Sequence, residues 1–306
     1  MTTSGTTPPV TWLEEAGQRL GLLPGLGGGL AAWQRAHRGR WVDLLRPWDG
    51  RSLHPGASAC QPLAPWSNRV SQGGFTQDGH FHPLWPNTAG DPYPIHGDAW
   101  LQPWELVAPS SRQAVMRLRS RGFNGGPHDF EAEQQLTLDG GGLTHRLSVR
   151  HLGPERLPYG LGLHPWFPRT QPCEVQAAVQ GVWHSHPDRL PLSHARELPA
   201  DWDLHRGIAG AGRLIDNAFT GWDGRVRLRW PTLGLSLHGQ AQAWLGDQPL
   251  PGLCCVVYRP EAGDAFCFEP VTHPIDAFHL PDRPGLVELA PGQSLVLQLR
   301  WDCQPD

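Results

Sequence analysis

Glycine and proline are spread along the whole of this chain, and that spacing constrains its fold more than any other feature. There are 37 Gly and 32 Pro among 306 residues. Gly weakens a helix through backbone entropy, and Pro breaks one through its fixed φ and missing N–H. A chain punctuated this way is expected to build many short strands joined by turns. The segments between the breaks agree. Ala114-Val-Met-Arg-Leu-Arg119 alternates apolar and polar residues, and residues 130–138 do so less cleanly. Residues 143–149 resume the pattern after the Gly140-Gly-Gly142 turn. Leu30-Ala-Ala-Trp33 and Trp41-Val-Asp-Leu-Leu45 flank a polar turn at Arg38-Gly-Arg40, as the arms of a hairpin would. Residues 226–230 and 233–237 form a similar pair around Pro231, and residues 286–289 and 294–299 another around Pro291-Gly-Gln293. Leu253-Cys-Cys-Val-Val-Tyr258 is a continuous apolar run, as expected of a strand covered on both faces. Only residues 11–20 hint at a helical period. The expected fold is an all-β, large antiparallel sandwich. Residues 1–15 are expected to be a flexible N-terminal extension and residues 16–306 a single domain, a length such folds reach without dividing.

Charge and cysteine usage exclude several functions. The formal net charge is −4, and all 25 basic residues are Arg. No basic face for nucleic acid is implied. No run approaches the ~18 consecutive apolar residues of a membrane span. The six Cys form no C-x-x-C pair, so no structural zinc site is expected. Residues 1–9 lack the basic and apolar regions of a secretory signal. A cytoplasmic protein with buried thiols is expected.

Some motifs lead nowhere. Gly25-Leu-Gly-Gly-Gly29 lacks the spacing of a nucleotide loop. His80-x-His82 and His184-x-His186 each lack an evident third ligand. There is no G-x-S-x-G elbow.

Five segments join polar, charged and aromatic residues in Gly- and Pro-rich contexts. They are Pro65-Trp-Ser-Asn-Arg69, Ile95-His-Gly-Asp98, Gly162-Leu-His-Pro-Trp-Phe167, Leu214-Ile-Asp-Asn-Ala-Phe219 and Phe266-Cys-Phe-Glu-Pro-Val-Thr-His-Pro-Ile-Asp-Ala-Phe278. Glu269 stands out before any comparison, because a carboxylate set between apolar strand residues needs a partner or a purpose.

In order and spacing these segments resemble the aldose 1-epimerase (galactose mutarotase) family, from about Leu20 to Trp301. The resemblance implies a mutarotase-type β-sandwich with an open cleft across one sheet. It implies an isomerase of carbohydrate metabolism that interconverts the α and β anomers of a free aldose. Glu269 matches the general base and His164 the general acid. Arg69, His96 and Asp216 match residues that hold sugar hydroxyls, with Asn68 beside Arg69 and Trp166 beside His164 as further binding candidates. The family uses no cofactor and no metal, so a small sugar is the expected partner, and the chain is expected to be a monomer or homodimer. His96-Gly-Asp and His164-Pro-Trp-Phe depart from the commoner family pattern and leave the sugar preference open. Three alternatives stand beside this reading: a hexose-6-phosphate 1-epimerase, which needs a cationic cluster; a non-catalytic sugar-binding protein on the same scaffold; and a sandwich-fold glycoside hydrolase or lyase, the former needing paired carboxylates such as Asp216 and Glu269. Trp66 and Trp85 are further candidates for a platform under the sugar ring.

The residue types suit the chemistry. Mutarotation opens the C1–O5 bond. A base takes the C1 hydroxyl proton while an acid protonates O5, and the roles reverse on reclosure. An ordinary His titrates near operating pH. Phe266 and Phe268 would desolvate Glu269 and raise its pKa, making it a better base.

Overall fold

The computed structural model of the chain describes residues 7–306. Among these residues the expected all-β fold is present, and helix is confined to short 3-10 turns such as Ala99–Leu101. Two large antiparallel sheets hold 11 and 10 strands among the described residues. In the first, Cys60–Leu63, Gly162–Pro168, Ala265–Val271, Leu253–Arg259 and Ile215–Trp222 lie side by side. In the second, Arg225–Trp230, Leu235–Leu245, Ser294–Pro305, Gly142–His151, Asp129–Leu138 and Gln113–Arg121 do the same.

Side-chain alternation explains how the sheets meet. Leu163 and Phe167 of one strand, with Phe266 and Phe268 of its neighbour, face Leu147, Leu297, Leu299 and Trp301 of the second sheet in one buried cluster. Phe167 and Trp301 touch edge to face, with ring centroids 5.3 Å apart and planes at 74°. Gln113–Arg121 and Asp129–Leu138 bury every second residue, and their Arg and Glu side chains lie on the water face. Leu253–Arg259 is covered on both faces, as its apolar run implied. Cys255 and Val257 enter the main core, while Cys254 and Val256 pack in a smaller cluster with Ala218, Val271 and Ile275. The adjacent cysteines thus lie in different clusters, and all six thiols are free and buried. The expected hairpin around Arg38-Gly-Arg40 is present as Gly29–His37 paired with Arg40–Asp43.

Two expectations fail at the N-terminus. Residues 11–20 are not helical: Thr11–Glu15 and Gln18–Leu23 form an antiparallel hairpin turning at Ala16 and Gly17. Leu13 and Leu20 sit opposite one another, both fully buried. Their separation of seven residues mimics a helical repeat, but they come from two strands meeting across a turn. Thr11–Glu15, expected to belong to a flexible extension over residues 1–15, instead adds a strand to the first sheet. Residues 1–6 of that expectation lie outside the described residues.

Leu297 is fully buried in the central strand of the second sheet, whereas Leu192 is 55% exposed. Leu297→Ala is expected to lower unfolding stability by about 2–5 kcal/mol, and Leu192→Ala by less than about 0.5 kcal/mol. Urea denaturation of both variants checks the ordering.

Candidate active site

The outer face of the first sheet carries the polar groups. Strand register puts them in rows. Gly162 lies opposite Val271 and Trp166 opposite Cys267, so His164 lies across from Glu269. His164 is also paired with Gln61, and Glu269 with Val256. The next row runs Asp216, Tyr258, Cys267, Trp166. Each strand presents its apolar side to the core and this side to a cavity of about 340 Å³, at the small end of ordinary ligand sites.

His164, Glu269, Arg69, His96, Asp216, Asn68 and Trp166 all line this one cavity. At its floor His164 Nε2 stands 3.3 Å from Glu269 Oε1, with side chains 12% and 2% exposed. Burial pushes the Glu269 carboxyl well above its usual range, reinforced by Asp216 and opposed by Arg69. Burial pushes the His164 imidazole down to about 4. Both directions favour a protonated carboxyl beside a neutral imidazole. His164 Nδ1 and Glu269 Oε2 are buried without protein partners.

Loops raise the wall. Asn68 and His96 both take positive φ, 60° and 61°, a conformation Asn tolerates better than most residues. The Asn68 N–H donates to His96 Nδ1 at 3.0 Å, and the His96 N–H donates back to the Asn68 carbonyl at 3.0 Å. With Nδ1 accepting, the proton of a neutral His96 sits on Nε2 as a donor. Burial, with His164 and Arg69 nearby, holds the His96 pKa well below its usual value and keeps the ring neutral. Arg69 donates from Nε to Asp91 at 2.9 Å and lies 3.9 Å from Asp216. Asp216 also accepts from Arg189 Nη1 at 2.6 Å.

The last of the five sequence segments holds this loop in place. The Ser67 N–H donates to His273 Nε2 at 3.1 Å. Asp276 accepts from the Ser71 N–H at 2.9 Å and the Ser71 hydroxyl at 2.7 Å. His273 and Asp276 thus anchor both ends of residues 67–71 and aim Arg69.

The aromatic expectations divide. Trp166 lines the cavity, but its ring stacks on His164 with centroids 5.2 Å apart at 25°. Arg46 covers the same indole at 4.7 Å, and its Nε1–H donates to Gln61 at 3.3 Å. These contacts fix the His164 ring. Trp66 is buried and packs on Phe278, and Trp85 is 61% exposed; neither lines the cavity. Trp100 does line it, as do Arg189, Asp91 and Tyr258, which sequence reasoning missed. Asp91 and Arg189 come from loops with no recognisable motif, and Tyr258 from a run that reads as core. Among the described residues, the His/Cys/Asp/Glu group close enough to share a metal ion is His164, Cys267 and Glu269. The pairs His80/His82 and His184/His186 gather no such group.

The model of the family described as aldose 1-epimerase matches residues 16–301. The uncharacterized protein YphB of Escherichia coli K12 is 32% identical over 275 residues, 86% of this chain and 92% of its own length. A crystal structure from Escherichia coli K12 with a provisional aldose 1-epimerase name aligns at TM-score 0.88 and 28% identity, over 97% of this chain and 99% of that one. The GalM/aldose epimerase homologue from C. elegans aligns at TM-score 0.80 and 16% identity, over 97% and 99% of the two chains, a likeness of fold.

Gly97 follows His96 at φ 65°, and a Cβ there would lie 2.4 Å from the Ala64 carbonyl oxygen. Gly97→Ala is expected to destabilise the protein by more than about 1 kcal/mol, because a backbone atom cannot move aside as a flexible side chain can. Chemical denaturation gives the value, and an unchanged midpoint would mean the turn relaxes without strain.

Proposed function

The chain belongs to the aldose 1-epimerase family, and on that premise we propose that it interconverts the α and β anomers of a free aldose, with Glu269 as base and His164 as acid. The observation that carries this reading is the 3.3 Å contact between two buried titratable groups at the floor of a cavity whose walls are hydrogen-bonding groups.

The reaction needs one proton shared between two sites near O1 and O5. In the reactive form the proton is on His164 and Glu269 is a carboxylate. Glu269 takes the C1 hydroxyl proton, the C1–O5 bond breaks, and His164 protonates O5. The aldehyde then turns about C1–C2. Reclosure returns the O5 proton to His164 and the Glu269 proton to O1, so each turnover restores the starting pair. Both pKa shifts favour the other form, with the proton on the carboxyl, and His164 Nε2 stands 3.3 Å from Glu269 Oε1. Sugar hydroxyls and Arg69 would stabilise the carboxylate that remains. Arg69, His96 Nε2–H and Asp216 supply donors and acceptors for the other hydroxyls.

Charge pairing argues for an uncharged substrate. Arg69 is already matched by Asp91, and Arg189 by Asp216. A phosphorylated hexose would have to displace one of these carboxylates to gain a cation. An acid–base pair this close also supports an enzyme over a non-catalytic sugar-binding protein.

Polarimetry on freshly dissolved α-D-glucose and α-D-galactose tests the reading. Wild type is expected to accelerate equilibration, and Glu269→Gln to lose roughly 10²–10⁴-fold of the enzymatic rate. No acceleration across an aldose panel would sink the epimerase reading.

The pH profile provides a second test. The pair is active while it holds one proton in total. Neutral His164 gains a second proton as pH falls toward about 4, so the rate falls there. The pair loses its only proton as pH rises through the titration of Glu269, which burial has raised well above the usual carboxylate range. A bell-shaped profile in kcat/KM is expected. A rate still rising down through pH 4 contradicts the assignment.

A further inference from the structure

One donor atom close to the acid–base pair has no part in the acid–base step. Cys267 lies two residues before Glu269 on the same face of Ala265–Val271 and is fully buried. Its neighbours Phe266 and Phe268 belong to the sandwich core, which does not include Cys267. Its cross-strand partners, Trp166 and Tyr258, line the cavity. One ligand atom each from His164, Cys267 and Glu269 lie within 4.8 Å of one another. We propose that these three residues form a binding site for a soft divalent cation of the zinc type, and that its occupation switches the acid–base pair off.

Geometry supports the assignment. Zinc takes imidazole nitrogen, thiolate sulfur and carboxylate oxygen at distances that give tetrahedral edges of roughly 3.3–3.6 Å. The His164 Nε2 to Glu269 Oε1 edge is already 3.3 Å. The three atoms lie within 4.8 Å of one another, so the sulfur has to close by at most roughly 1 Å to complete the triangle. A fourth ligand would be water or a sugar hydroxyl. Glu269 Oε2, buried and without a protein partner, offers a second oxygen to the same ion.

Charge supports it as well. Binding displaces the thiol proton and the proton shared by the pair, both to solvent. The thiolate and carboxylate then neutralise the cation, so the buried cluster carries no net charge. His164 Nδ1 lacks the hydrogen-bond acceptor that usually orients a ligating imidazole, which costs about 10–100-fold in affinity. The site is therefore that of an inhibitor, weaker than a resident structural zinc, and the proposed mutarotation needs no metal. Because the cation occupies the atoms that move the proton, binding excludes catalysis.

The inhibition rests on the mutarotase reading, but the binding does not. The purified full chain is titrated with Co²⁺, and the near-ultraviolet thiolate-to-cobalt charge-transfer band is recorded for wild type, Cys267→Ser and Cys254→Ser. Zinc affinity is measured by competition with a chromogenic chelator. Wild type and Cys254→Ser are expected to show the band, and Cys267→Ser to lose it and to bind Zn²⁺ at least tenfold more weakly. Cys267→Ala serves if the buried serine unfolds the protein. Absence of the band in wild type, or its survival without Cys267, overturns the site. In a second arm, Zn²⁺ is expected to slow mutarotation in competition with sugar, and Cys267→Ser, compared with its own zinc-free rate, is expected to resist the ion. Equal inhibition of both proteins overturns the assignment. If neither protein accelerates mutarotation, the mutarotase reading fails and the cobalt spectra still decide the metal site.

Discussion

The site depends on one strand pairing. Gly162–Pro168 lies against Ala265–Val271 in a register that sets His164 opposite Glu269. A slip of one residue in either strand would turn His164 or Glu269 into the sandwich and bring Leu163 or Phe268 to the cavity. The register is held from the other face. Leu163, Phe167, Phe266 and Phe268 are locked in the main core, where any slip would expose them to water. The apolar half of each strand thus fixes the polar half. The same core excludes water from beneath Glu269 and so raises its pKa. Packing, geometry and acidity are three consequences of a single alternation.

A strand face alone is flat, and the cavity is made by loops that rise from it. These loops carry the strained backbone: Asn68, His96 and Asp276 all have positive φ. Such residues stay put only where several contacts over-determine them. Here the contacts interlock. Asn68 and His96 exchange hydrogen bonds, Asn68 also accepts from the Arg69 N–H at 3.0 Å, and Asp276 ties down Ser71. Arg69 therefore approaches the pair from a wall fixed at both ends, which sets the direction its guanidinium presents to the cavity.

Period-two signals made the sheets legible in the sequence. Residues 114–119, 130–138, 143–149 and 253–258 each became a strand, because burial on a sheet repeats every second residue. The hairpin at Thr11–Glu15 and Gln18–Leu23 was not legible, since Leu13 and Leu20 copy a helical spacing across a turn. The site residues that sit in Gly- and Pro-rich motifs, such as His164, Glu269 and Arg69, were also legible, and all of them reach the cavity. Asp91 and Arg189 were not. Each is an ordinary charged loop residue, and only the folded chain brings Asp91 to Arg69 and Arg189 to Asp216. Trp66 and Trp85 show the opposite failure: a Trp near a motif looks like a platform, yet one is core and the other surface.

The two pairings that the sequence hid also govern how the central pair behaves. A guanidinium beside a buried carboxyl would, left bare, favour its anion. Arg69 lowers the Glu269 pKa, but burial and Asp216 raise it more. The carboxyl therefore keeps a raised pKa although an arginine stands close by. Charge compensation around the pair is accordingly as much a part of the site as the pair itself. It also explains why two arginines stand in a cavity that is read here as a site for a neutral ligand.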